Sequence, residues 1–92
     1  MAVMVRIPTP LRRLTGNADR VEVEADTLQA VVDALDSAHA GIKERICGED
    51  GEIRHFVNVY VNGEDVRYLD GLSTPTKSGD EISIVPAVAG GR

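Results

Sequence analysis

The chain is short of the residues that build disulfides, metal sites and base-stacking surfaces. Its 92 residues include a single cysteine, Cys47, and two histidines, His39 and His55. One cysteine excludes an internal disulfide and any cysteine-ligated zinc or iron–sulfur site, and two histidines are too few for a typical zinc constellation. The aromatic residues number three, two tyrosines and one phenylalanine, which argues against a surface that stacks nucleic-acid bases.

The sequence also lacks long apolar runs and an excess of basic residues. No run approaches about 18 apolar residues, so no transmembrane helix is predicted. The start, MAVMVRIPTP, has no charged region followed by an apolar core, so we expect no signal peptide, no membrane partner and a cytoplasmic location. Acidic residues number 15 against 10 basic ones, a net charge of −5. This balance argues against nucleic-acid binding and suits a partner protein with a basic docking surface.

What the chain does contain fits one small domain. Apolar residues make up 42% and charged residues 27% of the sequence, which are ordinary globular values. A chain of this length can bury one core and not two. We place the domain at residues 1–86 and a flexible tail at residues 87–92, where Val88 and Arg92 are the only side chains larger than a methyl group.

Alternating apolar and polar side chains predict strands along much of the chain. The alternation covers residues 2–7, 20–25, 55–61 and 81–86, and a shorter candidate strand lies at residues 66–69. The first two strands are joined by a short connection, so we expect an antiparallel hairpin. Asn62-Gly63 follows the third strand and is a favoured pair for a two-residue hairpin turn.

A helical period separates the second and third strands. The apolar residues that share one helical face are Leu28, Val31, Val32, Leu35, Ala38 and Ile42. They predict a helix at about residues 27–40, with a further short turn over residues 42–47. Asp26 or Thr27 can cap the first turn, and Gln29 stands three residues after Asp26, as in a capping box.

The order of these elements, β-β-α-β-β-β, predicts the fold class. A hairpin cannot bury its apolar face alone, so the helix must cover it and the later strands must extend the sheet. The result is an α+β roll with a mixed sheet of four to five strands and one main helix packed on one face. The β-grasp arrangement of ubiquitin fits this order.

No catalytic set of side chains can be found in the sequence. There is no phosphate-cradling glycine loop with a lysine, and no serine stands in a nucleophile-elbow context. Cys47 is either a reactive thiol or a small apolar residue near a helix end, and the second interpretation is favoured because free cysteines are commonly buried and inert. His39 and His55 have no acidic or nucleophilic neighbour that singles them out, so we interpret both as structural or surface residues.

The chain end offers a chemical use that the side chains do not. A glycine-rich end is in itself most often frayed. Glycine, however, has no Cβ and accepts unusual backbone angles, so Gly90 and Gly91 can thread a narrow channel in a partner's active site. The reactive group would then be the chain's own carboxylate.

Four stretches of the sequence resemble one family. They are VRIPTP at residues 5–10, DTL at 26–28, RHFVNVYVNGEDVRY at 54–68 and GDEISIVPAVAGG at 79–91. With the element order, they are similar to the ubiquitin-like sulfur carriers of the MoaD and ThiS type, and most of all to the CysO-type carriers of cysteine biosynthesis. The final stretch, a strand followed by Pro-x-Val-x-Gly-Gly, is the most specific part of the resemblance.

The resemblance implies a carrier protein that acts as a co-substrate, not an enzyme. It implies that Gly91 is adenylated with ATP by a ubiquitin-activating-like adenylyltransferase and sulfurtransferase, and is then converted to a thiocarboxylate. The thiocarboxylate would attack an aminoacrylate or activated serine held on a pyridoxal-phosphate cysteine synthase. A JAMM-type metallopeptidase would release the product. The carrier itself is expected to bind no cofactor and no metal.

Arg92 departs from the family pattern because it follows the glycine pair. An amide at Gly91 cannot be adenylated, since activation needs a free carboxylate. Three explanations are open: a peptidase removes Arg92, Arg92 is an artificial addition, or the chain in this form is not a carrier. Removal by processing is favoured, because ubiquitin-like precursors commonly carry such extensions.

Strand parity predicts a surface for partner proteins. If the valines of residues 57–61 face the helix, Phe56 and Tyr60 face outward, and Val85 shares that face. With Val88 from the tail they would form an apolar docking patch, since aromatic residues are enriched in the cores of interfaces. The alternative is that long neighbouring side chains cover them.

Three further functions stay open beside cysteine biosynthesis. The molybdopterin synthase small subunit, in molybdenum cofactor biosynthesis, is the main alternative among sulfur carriers. A ubiquitin-like modifier that joins Gly91 to lysines is a second class of function. A β-grasp interaction module with an inert tail is a third.

Overall fold

Five strands form one mixed sheet in a computed structural model that describes residues 2–86. The strands are β1 (Ala2–Arg6), β2 (Arg20–Glu24), β3 (Val57–Val61), β4 (Glu64–Asp65) and β5 (Glu81–Pro86). Their spatial order is β2-β1-β5-β3-β4. β1 pairs with β2 in antiparallel fashion and with β5 in parallel, while β3 is antiparallel to both β4 and β5. The predicted first hairpin and the mixed sheet are confirmed.

Two α-helices cross one face of this sheet. α1 spans Leu28–Ala38 and α2 spans Ile42–Ile46. Of the two predicted caps, Thr27 is confirmed, because its side chain accepts a hydrogen bond from the Ala30 backbone N–H at 3.1 Å. The capping box of Asp26 with Gln29 is wrong, since the Gln29 amide donates to Asp33. α1 ends two residues before the predicted limit because the chain turns at Gly41, whose φ of 98° is costly for other residues.

The sheet and the helices share one apolar core. In β1, β3 and β5 every second side chain is buried, and α1 buries residues spaced by three and four. The members from these elements are Val3, Val5, Leu28, Val31, Val32, Leu35, Val57, Val59, Val61, Ile82 and Ile84. Ile42 and Ile46 of α2 belong to the same cluster, so both helices bury their apolar faces in it.

The turn after β3 has the geometry that its sequence predicts. Asn62 and Gly63 have φ values of 52° and 89°, and a type I′ hairpin turn requires positive φ at both positions. The Asn62 side-chain amide donates to the buried carboxylate of Asp80 at 2.9 Å, and its Oδ1 accepts from the Glu81 N–H. This pair of bonds ties the β3–β4 turn to the start of β5.

Three sequence predictions need correction. Residues 66–69 are not a strand: Val66–Tyr68 forms a 3₁₀ turn, and the short strand β4 precedes it. Thr9–Leu14 is also a 3₁₀ helix, where the sequence indicated only a turn region. The third strand begins at Val57, so His55 and Phe56 lie in the turn before it.

Within residues 2–86, the helices are too short and too polar to span a bilayer. The same part of the chain holds no group of three or more His, Cys, Asp or Glu side chains placed to bind a metal ion.

Candidate functional site

β5 carries the chain to the place where the predicted tail begins. Its last residue, Pro86, lies opposite Val57 on β3. Because β5 is parallel to β1, Pro86 lies at the end of the sheet where β1 also finishes. The site predictions at Val88, Gly90, Gly91 and Arg92 lie outside the described residues.

The structure places Tyr60 and Val85 on the outer sheet face and Phe56 in the turn before β3. Val85 lies opposite Asn58, and Tyr60 lies opposite Ser83. Val85 is 46% exposed and Phe56 is 51% exposed, whereas Tyr60 is half-buried. Neighbouring side chains therefore cover Tyr60 in part but leave Phe56 and Val85 open to solvent. Their role in docking stays a prediction.

The segment that carries Phe56 is held by Arg67, a residue that the sequence analysis did not single out. Its Nη1 donates to Asn58 Oδ1 at 2.6 Å. Its Nη2 donates to the carbonyls of Arg54 and Val57, both at 2.8 Å, and to that of His55 at 3.4 Å. One planar guanidinium thus holds the turn before β3 in shape.

Arg54 adds a second contact to the same segment. Its guanidinium carbon lies 6.0 Å from the centre of the Phe56 ring, at the limit of a cation–π interaction. The Arg54 Nε also donates to the Glu44 carbonyl at 2.9 Å. Phe56 therefore stands exposed on a well-supported turn.

A further exposed apolar pair follows Arg67. Tyr68 is 88% exposed and Leu69 is 41% exposed. The sequence placed both in a strand, where alternation would have buried one of them. In the 3₁₀ turn Val66 alone is buried, at 0%, and Tyr68 and Leu69 after it are both exposed.

Cys47 has the features of a structural residue. It is 3% exposed, directly after α2, and its N–H donates to the Lys43 carbonyl at 2.8 Å. Burial raises the pKa of its thiol, although the nearby Lys43 ammonium acts in the opposite direction. The neutral thiol, a poor nucleophile, therefore dominates at physiological pH.

The histidines show no catalytic pairing among the described residues. His39 is half-buried at the end of α1, where its N–H donates to the Leu35 carbonyl at 2.7 Å. His55 is exposed in the turn before β3. Both positions fit the structural and surface interpretations.

A surface ion pair links the two helices. Lys43 Nζ lies 2.7 Å from Asp33 Oδ1, with both side chains well exposed. The hydrogen bond from Lys43 lowers the pKa of Asp33, and the same bond raises the pKa of Lys43. Asp36 accepts from the N–H groups of Gly41 and Lys43, both at 3.1 Å, so these carboxylates fix the α1–α2 junction.

Comparison with known proteins identifies the family. Residues 5–91 match the model described as the ThiS family. The sulfur carrier protein CysO of Mycobacterium tuberculosis H37Rv is 47% identical over 93 aligned residues, covering 99% of this chain and all of that protein.

Solved structures agree with the sequence comparison. The crystal structure of the Amycolatopsis orientalis BexX/CysO complex contains a chain that superposes with a TM-score of 0.90 at 46% identity, over 94% of this chain and 96% of that one. Small archaeal modifier protein 1 of Haloferax volcanii gives a TM-score of 0.80 at 31% identity, over 95% and 98% of the two chains. The named functions among these relatives are carrying sulfur and modifying proteins, and neither is a catalyst's role. The chain therefore belongs to the ThiS family of ubiquitin-like β-grasp proteins and is a sulfur carrier protein of the CysO and ThiS type.

Proposed function

We propose that this chain carries sulfur as a thiocarboxylate on Gly91 and donates it for cysteine biosynthesis. The observation that carries the proposal is the full-length similarity to CysO, a named sulfur carrier. The family match includes both glycines of the pair and stops before Arg92. Since no catalytic side-chain set was found in residues 2–86, the chemistry is assigned to the chain's own carboxylate and to partner enzymes.

Activation takes place in two steps on a partner. The Gly91 carboxylate attacks the α-phosphorus of ATP, which forms an acyl adenylate and releases pyrophosphate. A sulfide-level sulfur then attacks the acyl carbon, AMP leaves, and a thiocarboxylate remains. A ubiquitin-activating-like adenylyltransferase and sulfurtransferase supplies the site and binds the ATP.

Arg92 must be removed before these steps. As long as the peptide bond from Gly91 to Arg92 is intact, the carbonyl carbon is part of an amide and no carboxylate is free to attack ATP. We assign the removal to a peptidase. The glycines then serve two purposes: Gly91 carries the reacting group, and Gly90 lets the backbone enter the partner's channel.

Delivery of the sulfur requires an acceptor enzyme. We assign this step to a cysteine synthase that holds pyridoxal phosphate, followed by a JAMM-type metallopeptidase that frees the cysteine from the carrier. We assign the docking of these partners to Phe56, Tyr60, Val85 and Val88. The similarity to a CysO that was crystallised with BexX supports a carrier that works through protein complexes.

Mass spectrometry of a chain ending at Gly91 tests the proposal. Incubated with the activating enzyme, ATP and a sulfur donor, this chain should gain the mass difference of one oxygen exchanged for sulfur. The chain ending at Arg92 should stay unmodified until a peptidase is added. Gly91→Ala in the trimmed chain should fold normally and react poorly, because its methyl group crowds the channel. Efficient modification of the untrimmed chain, or none of the trimmed one, would contradict the proposal.

A second function is supported by the similarity to small archaeal modifier protein 1. In that case Gly91 would form isopeptide bonds with lysines of other proteins. Lysine-branched conjugates that end in Gly91, detected by mass spectrometry of the native cell, would favour this function. Their absence from cells that contain the thiocarboxylate would favour the sulfur carrier alone.

A further inference from the structure

A groove of about 440 Å³ lies at the end of the sheet where β1 and β5 finish. We call it the basic groove, and its lining comes from three parts of the chain: Arg6–Pro10 with Arg12, Asp19 with Arg20, and Ser83–Pro86. Because Pro86 forms part of the wall, the groove lies directly beside the point where residue 87 begins. A partner that receives the chain end must come close to it.

The charge of the groove is opposite to that of the chain. Three arginines, Arg6, Arg12 and Arg20, line it together with one carboxylate, Asp19, although the whole chain has a net charge of −5. The global charge balance predicts partners with a basic surface. At this end of the sheet the local charges favour an acidic one.

Two of the three arginines stand in an arrangement that does not help the fold. Arg6 on β1 and Arg20 on β2 are directly opposite each other, and both are exposed. Neither makes a hydrogen bond or an ion pair to a side chain within residues 2–86. Like charges directly opposite on paired strands repel and reduce stability, so folding alone does not explain the pair.

Arg12 completes the basic lining in a fixed position. Its Nε donates to the Ile7 carbonyl at 3.0 Å, which anchors the base of the guanidinium beside the groove. The 3₁₀ helix Thr9–Leu14 sets the place of Arg12 on the rim. The positive charge of Arg12 is therefore fixed at the rim by a hydrogen bond to the backbone and by the position of the 3₁₀ helix.

We propose that the basic groove docks an acidic, extended segment of the protein whose active site receives the chain end. Guanidinium forks match carboxylates geometrically and pair with them more strongly than a point charge does. Pro8, Pro10, Pro86 and Val85 supply apolar walls between the charges, which suits a peptide backbone better than a small anion. The identity of the partner rests on the proposed function, whereas the preference of the groove for carboxylates does not.

Binding of a probe peptide tests the groove without any partner enzyme. The probe is a short peptide of alternating glutamate and glycine, titrated into the isotope-labelled chain at low salt. NMR signals of Arg6 and Arg20 should shift, and affinity should fall steeply as salt is added, since exposed charges are screened. The double variant Arg6→Gln, Arg20→Gln should lose about tenfold or more in affinity.

A matched variant separates a local effect from a change in net charge. Arg13→Gln combined with Arg45→Gln alters the net charge by the same amount, and both residues are exposed outside the groove. It should bind the probe within about twofold of the unaltered chain. Equal losses in the two double variants would overturn the proposal, as would a probe that shifts neither Arg6 nor Arg20. Inorganic phosphate that shifts these arginines while the peptide does not would also overturn it, in favour of a small-anion site.

The groove variant is expected to fold, because it removes a like-charged pair. Its melting temperature should equal or exceed that of the unaltered chain. The single variant Arg20→Gln, on the edge strand, removes the same repulsion and provides a second measurement of probe affinity. In stopped-flow experiments with the activating enzyme, the groove variant should associate more slowly and with less dependence on salt than the Arg13, Arg45 variant. If the groove binds the peptide but Gly91 acquires no sulfur, the proposed sulfur-carrier function is wrong and the proposed docking site still holds.

Discussion

At the scale of single residues, Arg67 supports the exposed segment around Phe56 through several hydrogen bonds. Its guanidinium bonds at once to the Asn58 side chain and to the carbonyls of Arg54 and Val57. These acceptors belong to the turn that presents Phe56 and to the first residues of β3. A single side chain thus couples the 3₁₀ turn after β4 to the exposed aromatic ring.

Arg67→Lys should therefore destabilise the fold although the charge is kept. A lysine ammonium has no planar fork and cannot meet all of these acceptors in one geometry. We expect a loss of about 1–2 kcal/mol in the free energy of unfolding, the usual range for hydrogen bonds from a charged donor at a partly exposed site. Urea denaturation measures it, and Arg13→Lys is the control because Arg13 is exposed and makes no side-chain bond within residues 2–86. Equal stability of both variants would show that the Arg67 contacts contribute nothing.

The sequence predicts which side chains are exposed, but it does not predict the hydrogen bonds of Arg67 that hold the segment around Phe56. Strand parity predicts that Phe56 and Val85 are exposed, and both are, although Phe56 lies in the turn before β3 and not in the strand. Arg67 could not be found in this way, because most of its acceptors are backbone carbonyls that lie 10 to 13 residues earlier. Backbone acceptors carry no signature in the sequence.

At the scale of elements, the helix was predictable because its apolar period is long and regular. Leu28, Val31, Val32 and Leu35 are all buried, as their spacing indicates. The sequence leaves two residues in succession, Asp26 and Thr27, able to accept a hydrogen bond from the first turn. Thr27 takes that position in the structure.

Leu35→Ala tests whether this face of α1 is buried in the core. Leu35 is 0% exposed, and removing a fully buried leucine side chain costs about 2–5 kcal/mol through lost burial and the cavity left behind. Leu69→Ala is the matched control, because Leu69 is 41% exposed and should lose about 1 kcal/mol or less. Chemical denaturation of both variants gives the comparison. If the two losses were equal, Leu35 would not be part of the core.

The short strand at residues 66–69 was the element that sequence reasoning placed wrongly. Four residues are too few to separate a two-residue alternation from a 3₁₀ turn, in which residues three apart share a side. The Asp65 side chain decides the outcome by accepting from the Arg67 N–H at 2.9 Å. This cap ends β4 after two residues and starts the turn that positions Arg67.

At the scale of the whole molecule, the charges are sorted along the sheet. On the outer faces of β1 and β2, Arg6 and Arg20 lie at the end where β5 finishes, while Glu22 and Glu24 lie toward the other end. A net charge calculated from the sequence averages over this separation. Because β1 and β5 run parallel, Arg6 and Arg20 lie at the end of the sheet where β5 finishes at Pro86.

We expect residues 1–86 to fold without the six residues that follow. Among residues 2–86, the members of the apolar core lie between Val3 and Ile84. The pairing of β5 with β3 extends to Pro86 opposite Val57, so every described strand contact is complete before residue 87. A chain cut after Pro86 keeps every core residue named above and loses the segment to which we assign the chemistry.

We expect the chain ending at Pro86 to match the full chain in its free energy of unfolding within about 0.5 kcal/mol, the range of changes that touch no core contact. It should accept no sulfur, since Gly91 is gone. A chain ending after Glu81 is the control: it removes Ile82 and Ile84, which are 1% and 5% exposed, and with them the strand between β1 and β3, so it should not fold. Denaturant titration with circular dichroism distinguishes the three chains. A large loss of stability on cutting after Pro86 would mean that residues 87–92 belong to the folded unit, and the division between a carrier domain and a reactive tail would then be wrong.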